Sequence, residues 1–208
     1  MKLKVCGMKY KDNIEAVASL QPDYLGFIFY SKSTRNFTSS HITEISNSIK
    51  KVGVFVNEAL DTVLDKIKQF NLQAVQLHGN ESPEFCALLN EVEVIKVFSI
   101  KDKFNFKVLQ PYEVVCDFYL FDTKGELPGG NGYTFNWDVL KNYPSSKPYF
   151  LSGGIGWHET EKLKAFKESS ISKYCYAIDV NSKFEIEPGL KNIEELEKFK
   201  KQITSSGF

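Results

Sequence analysis

The feature that most constrains the fold is a regular alternation between short apolar runs and segments with helical periodicity. Eight runs rich in Val, Ile, Phe and Tyr are spaced along the chain: LKVCG, YLGFIF, KVGVFV, AVQLHG, VIKVFSI, FYLFDT, YFLSGGI and YCYAIDV. Most are nearly continuous in apolar character, which is typical of strands covered on both faces. The sequence therefore predicts eight buried strands separated by helices.

Helix signals lie between several of these runs. The predicted apolar stripes are Ile14, Val17 and Ala18 in the first helix, Leu60, Val63, Leu64 and Ile67 in the second, and Ile193, Leu196, Phe199 and Ile203 in the last. Asp12 is predicted to cap the first helix, Asn71 to end the second, and Ser82 followed by Pro83 to begin a third. The weakest unit is 101–111, where we expect a short or irregular helix after strand five.

Eight strand–helix units in 208 residues favour an α/β fold, a single (β/α)8 TIM barrel that forms one catalytic domain over residues 1–208. No change in composition and no Gly/Ser linker divides the chain. An open doubly wound sheet is the alternative. Its dinucleotide-binding fingerprint, G-x-G-x-x-G after the first strand, is absent.

Charge and cysteine usage exclude several classes of protein. Lys and Arg together number 26, as do Asp and Glu, so a net charge of +0 argues against nucleic acid or an anionic membrane as partner. The basic start MKLKVCGMKY lacks the apolar stretch of a signal peptide, so we expect a cytoplasmic protein. Four cysteines without a C-x-x-C pair argue against a disulfide scaffold or zinc ribbon, and Cys86, Cys116 and Cys175 are predicted to be core residues.

Polar residues end several of the apolar runs. They are Cys6, Gln76, His78, Asp122, Thr123, Ser152 and Asp179. In a (β/α)8 barrel the active site lies at the carboxyl ends of the strands, so these side chains are predicted to surround one mouth. Polar residues also end strands for structural reasons alone, and only their joint placement favours a site. The three histidines lack H-x-H or H-E-x-x-H spacing, so no metal site is expected.

Two glycine-rich stretches and one basic stretch add to this mouth. Gly153 and Gly154 follow strand seven and precede a helix predicted from about Trp157, an arrangement that favours anion binding, although a simple tight turn is the alternative. The stretch 125–137 is predicted to be a mobile covering loop after strand six. Arg35 follows strand two, where it would hold a carboxylate or remain a solvated loop charge.

These motifs together resemble the phosphoribosylanthranilate isomerase family. The matching stretches are KVCG at 4–7, GFIFYSKSTR at 26–35, VGVFVN at 52–57, QLHG at 76–79, FDT at 121–123, GGNGYTFNW at 129–137, LSGGI at 151–155, and DVNS with PGLKN within 179–192. The resemblance implies a (β/α)8 barrel, phosphate binding by the loops after strands seven and eight, and no cofactor. It implies a small phosphosugar–anthranilate substrate, rearranged in a step of L-tryptophan biosynthesis.

The resemblance also assigns roles to residues. Cys6 matches the general base, Asp122 the general acid, and Arg35 the contact to the anthranilate carboxylate. The remaining predicted contacts are Asp179, Gln76 and His78 for the substrate, and Gly153, Gly154, Ser182 and Lys183 for its phosphate. Lys4, if close enough, would help the Cys6 thiol to lose its proton.

Three positions depart from the family pattern. The family commonly has Lys or Arg at Tyr133, Pro at Thr34 and Gly at Lys183. The last change puts the backbone contribution of the strand-eight loop in doubt, although the lysine would attract phosphate directly. The nearest alternatives are the histidine-pathway isomerase, which has an aspartate where Cys6 stands, and a barrel that binds a phosphorylated ligand without turnover. A monomer is expected, with a dimer as the alternative.

Overall fold

Eight parallel strands close into a barrel. The computed structural model describes residues 1–101, 103–123 and 134–205. The strands are β1 (Lys2–Val5), β2 (Tyr24–Ile28), β3 (Lys50–Phe55), β4 (Ala74–Leu77), β5 (Glu93–Ile100), β6 (Phe118–Thr123), β7 (Tyr149–Leu151) and β8 (Cys175–Val180). Each strand pairs in parallel with the next, and β8 closes the sheet against β1 with Lys4 opposite Asp179. The predicted (β/α)8 TIM barrel is confirmed.

Helices of unequal regularity surround this barrel. The α-helices are α1 (Lys11–Ser19), α2 (Leu60–Phe70), α3 (Pro83–Ala87), α4 (Thr160–Glu168) and α5 (Ile193–Ser205). Shorter 3₁₀ helices span Phe106–Tyr112, Trp137–Asn142, Trp157–Glu159, Ser170–Tyr174 and Ser182–Phe184. A two-stranded hairpin, β9 (Glu185–Glu187) and β10 (Leu190–Lys191), follows the last of these. No helix in the described ranges has the length and apolar character needed to span a membrane.

Most of the predicted helix boundaries are confirmed. Asn71 ends α2 in the left-handed conformation, with φ of 47°, and the Ser82 hydroxyl accepts from the backbone N–H of Phe85 at the start of α3. The irregular helix expected after β5 is the 3₁₀ helix that contains Pro111. The Asp12 cap is wrong: Tyr10 has the extended backbone that precedes α1, so Asp12 lies within the first turn.

The unit after β2 lacks the helix that eight strand–helix units require. Between 29 and 49 the described chain contains no helix. Serine side chains there bond to the nearby backbone, since Ser39 donates to the carbonyl of His41 and accepts from its N–H, and such local bonds compete with helix formation. Phe37 packs instead against Phe27 and Phe70 and covers this side of the barrel.

The pleat of the strands decides which side chains enter the barrel. A small cluster fills the lower interior: Tyr24, Val52, Ala74, Ile95, Val97, Phe118, Leu120, Phe150 and Ala177. On β6 the inward series therefore runs Phe118, Leu120, Asp122, because alternate residues share a face. Tyr119 and Phe121 belong to the larger apolar layer between barrel and helices. The same alternation carries other polar side chains inward at the carboxyl ends of the strands.

A buried ion pair joins β5 to the loops that follow β3 and β4. Lys96 donates to Glu81 Oε2 at 2.8 Å and to the carbonyl of Gly79 at 2.7 Å. Glu81 in turn accepts from the backbone N–H of Asn57 at 2.8 Å and of Gly79. This network fixes the loop that follows β4 and carries His78.

Replacing Lys96 with Met is expected to lower the free energy of unfolding by about 3–5 kcal/mol, because the Glu81 carboxylate is left buried without its counter-charge. Denaturant unfolding measures the loss. The control is Lys164→Met, which removes an exposed partner of Glu161 and should cost at most about 1 kcal/mol. Equal losses in the two variants would contradict this account, and adding Glu81→Gln to Lys96→Met should restore part of the stability.

Candidate active site

A cavity opens at the carboxyl ends of the strands. It is lined by all ten predicted site residues: Cys6, Arg35, Gln76, His78, Asp122, Gly153, Gly154, Asp179, Ser182 and Lys183. They come from six strands or the loops that follow them, and parallel closure brings these ends together. The sequence therefore predicted which residues meet, whereas their roles stay predictions.

Cys6 leaves β1 at the inner wall of this cavity. Its backbone N–H donates to the carbonyl of Val180 at 2.9 Å, which continues the pairing of β1 with β8. Gly26 on the neighbouring strand gives the sulfur its space, since a Cβ at that position would lie 2.7 Å from Cys6 Sγ. Burial raises the pKa of the thiol, and the nearby Lys4 lowers it without fully offsetting burial. Cys6 is therefore a thiol more often than its ordinary pKa would predict.

Lys4 and Asp179 lie directly beneath the thiol. The Lys4 ammonium is fully buried and donates to Asp179 Oδ1 at 2.8 Å, and Lys4 precedes Cys6 by two residues on the same inward face of β1. The second oxygen, Asp179 Oδ2, accepts from the Ser152 hydroxyl at 2.9 Å. Burial would lower the pKa of Lys4, but the nearby Asp179 and Cys6 outweigh it and raise that pKa. The lysine is consequently charged at neutral pH.

Asp122 faces the cavity from β6 and has two neighbours of its own. Its Oδ1 accepts from the backbone N–H of Thr123 at 2.8 Å, and its Oδ2 lies 3.4 Å from His78 Nε2. The other ring nitrogen of His78 lies 3.1 Å from Gln76 Nε2. These contacts hold the carboxyl group in one orientation and connect it through the imidazole to β4.

Gln76 offers an unused acceptor in the same place. Its Oε1 is buried and has no hydrogen-bond partner within the described part of the chain. A buried acceptor without a partner costs about 1–3 kcal/mol. A ligand hydroxyl that donates to this oxygen would recover that cost, so Gln76 Oε1 is suited to bind a hydroxyl group of a ligand.

Arg35 reaches the cavity but is already paired. Its Nε and Nη2 form a bidentate contact with the Glu185 carboxylate at 2.7–2.9 Å, and Lys191 donates to Glu185 Oε1 at 2.7 Å. Burial would raise the pKa of Glu185, yet Arg35 and Lys191 together hold it below its ordinary value. A ligand carboxylate would have to share Arg35 with Glu185 or displace it. Neither Glu185 nor Lys191 was predicted to be a site residue. Arg35 and Glu185 are 150 residues apart, and no local sequence pattern signals their contact.

The glycine-rich turn after β7 has the close approach that its sequence suggests. Gly153 and Gly154 have φ of 90° and 68°. A Cβ on Gly153 would lie 2.2 Å from Thr123 Oγ1 and 2.9 Å from Asp122 Oδ1. The turn therefore packs directly against the strand that carries Asp122. The helix predicted to follow from Trp157 begins as a 3₁₀ turn and continues as α4.

Lys183 is accommodated where the family usually has glycine. It lies in the 3₁₀ helix Ser182–Phe184, and no positive φ is found at this residue, so the backbone there does not require glycine. Phe184 is fully buried and packs against Phe199. The lysine thus lines the cavity on a regular turn. The predicted covering loop and Tyr133 fall mainly in 124–133, outside the described residues.

The other cysteines and histidines lie away from the cavity. Cys86 and Cys116 are buried as predicted, whereas Cys175 at the start of β8 is only partly buried because it lies at the edge of the barrel. His41 and His158 are exposed. Within the described ranges no group of three His, Cys, Asp or Glu side chains is placed to hold a metal ion.

The fold and the cavity define the class: a (β/α)8-barrel protein with a thiol and a carboxyl group facing one pocket. The chain belongs to the N-(5'-phosphoribosyl)anthranilate (PRA) isomerase family, whose model matches residues 3–202. The isomerase of Parabacteroides distasonis is 42% identical over 210 residues, covering 98% of this chain and 93% of that protein. The resemblance carried by the motifs is thereby confirmed.

Solved structures agree with this assignment. The phosphoribosyl anthranilate isomerase of Thermotoga maritima superposes with a TM-score of 0.83 at 29% identity, covering 99% of both chains. A phosphoribosyl anthranilate isomerase solved in complex with reduced 1-(o-carboxyphenylamino)-1-deoxyribulose 5-phosphate superposes with a TM-score of 0.79 at 27% identity, again over 99% of both chains.

Gly153→Ala is expected to lower the free energy of unfolding by about 2 kcal/mol more than Gly189→Ala, as measured by denaturant unfolding. Gly189 is a matched control because its φ is 89°, yet a Cβ there would meet only the side chain of Lys9. The difference isolates the overlap of the new methyl group with Thr123 and Asp122. Equal costs would mean that the turn can move away from β6.

Proposed function

We propose that this protein converts N-(5-phosphoribosyl)anthranilate to 1-(2-carboxyphenylamino)-1-deoxyribulose 5-phosphate, with Cys6 as general base and Asp122 as general acid. Membership of the family over residues 3–202 supports the reaction, which is a step of L-tryptophan biosynthesis. The observation that carries the assignment of the two residues is that the Cys6 thiol and the Asp122 carboxyl line the same cavity. The isomerisation is redox-neutral, so a positioned acid and base suffice.

The first step opens the sugar ring. Asp122, in its protonated form, gives its proton to the furanose ring oxygen while the bond from C1 to that oxygen breaks. The nitrogen lone pair forms the C1=N bond of a protonated Schiff base, and Asp122 is left as a carboxylate. The contacts from Thr123 and His78 hold the carboxyl in place for this transfer and would stabilise the charge that it acquires.

The second step moves hydrogen from C2. The Cys6 thiolate takes the C2 proton, and the electron pair flows into the C1–C2 bond and on to nitrogen, which gives an enolamine. Tautomerisation of the enolamine produces the 2-ketone with a CH₂ group at C1. Because burial raises the pKa of Cys6, only a minor thiolate fraction is available to start this step at neutral pH.

Substrate contacts at two ends would orient the pentose between acid and base. The phosphate would lie among Gly153, Gly154, Ser182 and Lys183, which line one side of the cavity. The anthranilate carboxylate would compete with Glu185 for Arg35, and a ribose hydroxyl would donate to Gln76 Oε1. A monomeric state and a cytoplasmic location stay predictions.

Cys6→Ala and Asp122→Asn are each expected to lower kcat by about 10²–10⁴-fold, because each removes one positioned proton-transfer group. The assay follows the decay of substrate fluorescence with purified protein. Cys175→Ser, at the opposite end of the barrel, is the matched control and should retain full turnover. Near-normal turnover of the Cys6 or Asp122 variant would refute the role of that residue.

Lys183→Met is expected to raise KM about tenfold with kcat nearly unchanged, because it removes a phosphate contact made equally in the ground and transition states. Steady-state kinetics separate the two constants. Lys173→Met removes an exposed lysine before β8 and serves as the control for net charge. An unchanged KM for Lys183→Met would remove this lysine from the phosphate site.

A further inference from the structure

The sequence around β1 places a lysine where an apolar residue would be expected. Lys4 lies on the inward face of β1, two residues before Cys6, and its side chain has 0% exposure. A buried ion pair adds little net stability relative to apolar residues of similar size, because desolvation offsets the attraction between the charges. Stability alone therefore does not explain a charged lysine at the centre of the barrel.

Asp179 makes its hydrogen bonds to other side chains of the protein. Both carboxylate oxygens are already engaged, Oδ1 by Lys4 at 2.8 Å and Oδ2 by Ser152 at 2.9 Å. The pairing register sets Lys4 directly opposite Asp179, so the carboxylate holds the ammonium in one position beneath the thiol. This arrangement suits a counter-ion of Lys4 better than the substrate contact that the sequence suggested.

We propose that Lys4 and Asp179 act in opposite directions on the proton of Cys6, with Lys4 stabilising the thiolate and Asp179 destabilising it. This inference rests on the proposed function, in which the Cys6 thiolate is the base. Lys4 acts by its positive charge from the same face of β1, two residues before Cys6, whereas Asp179 acts by its own negative charge and by its ion pair with the same ammonium. Both are positioning residues, since their effect reaches the substrate through Cys6.

Other charged groups also face this end of the cavity. They are Arg35 after β2, His78 after β4, Asp122 on β6, Lys183 after β8, and Glu185 and Lys191 on the hairpin. Arg35 and Lys191 share Glu185, which partly neutralises them. Lys4 differs from these groups because it is fully buried on the strand that leads into Cys6, two residues before the thiol and on the same face of that strand.

The test measures the thiolate fraction of Cys6 without any substrate. Purified protein is treated with iodoacetamide at several values between about pH 7 and 9, and mass spectrometry of the peptide containing Cys6 gives its alkylation rate. Below the pKa, a shift of one unit in the pKa of the thiol changes the thiolate fraction about tenfold, and the accompanying change in nucleophilicity leaves about a threefold change in rate. An opposite charge at contact distance shifts a pKa by about 1–3 units.

Asp179→Asn is expected to raise the alkylation rate about threefold or more, and Lys4→Met to lower it by a similar factor. Lys2→Met is the matched control on the same strand, since Lys2 is partly exposed and paired with Asp23, and its rate should match the unmodified chain. Opposite changes distinguish this inference from general loosening of the barrel, which would expose the sulfur and accelerate alkylation in both variants.

Lys4→Met leaves the Asp179 carboxylate buried without its partner and is expected to destabilise the fold, so Lys4→Met/Asp179→Asn provides a second measurement without that unpaired charge. The alkylation rate of the double variant should lie below that of the unmodified chain, because the charge of Lys4 affects Cys6 more strongly than the charge of Asp179 does. An unchanged or lower rate in Asp179→Asn, or an unchanged rate in the double variant, would overturn the inference. Full turnover by Cys6→Ala would overturn the proposed base instead, whatever the alkylation rates.

Discussion

Closure of the sheet between β1 and β8 is the interaction on which the rest of the structure depends. It joins residues 175 positions apart in the chain and sets Lys4 against Asp179 in the floor of the cavity. The same pairing continues to Cys6, whose N–H bonds to β8. Without it the thiol would have neither a fixed position nor its buried cation, and the two ends of the polar cluster would lie on separate sheet edges.

The proposed acid and the proposed base occupy different kinds of environment although they line one cavity. Cys6 is buried near the Lys4–Asp179 ion pair, and burial and the charge of Lys4 are the largest influences on its pKa. Asp122 is instead held by a backbone N–H and an imidazole. General acid–base catalysis requires opposite protonation states at the start of reaction. Burial opposes the thiolate that the proposed base needs and Lys4 favours it, whereas Thr123 and His78 set the orientation of the proposed acid.

The sequence was sufficient to predict the barrel and the residues that line the cavity, because both follow from local signals. Apolar runs mark the strands, and the residue that ends each run lies at the mouth by topology. Contacts between residues far apart in the sequence have no such signal. The pairing of Arg35 and Lys191 with the shared Glu185 carboxylate was therefore seen only in the structure. Two predictions were wrong for a different reason: the helix after β2 and the cap of α1 at Asp12. Local hydrogen bonds of serine side chains compete with the helix, and the residue at which the backbone turns from extended to helical decides the cap.

The irregular chain between β2 and β3 has a consequence for how this barrel can change. Arg35 is carried on a segment whose conformation depends on side-chain contacts and a few phenylalanines, whereas Cys6 and Asp122 are built on or next to strands. Under the proposed function, the residue that would bind the anthranilate carboxylate and the residues that would transfer protons are therefore held by different kinds of structure. Evolution or an engineer could lengthen or exchange the segment between β2 and β3, and so alter which aromatic acid is accepted, while the strands next to Cys6 and Asp122 keep their geometry.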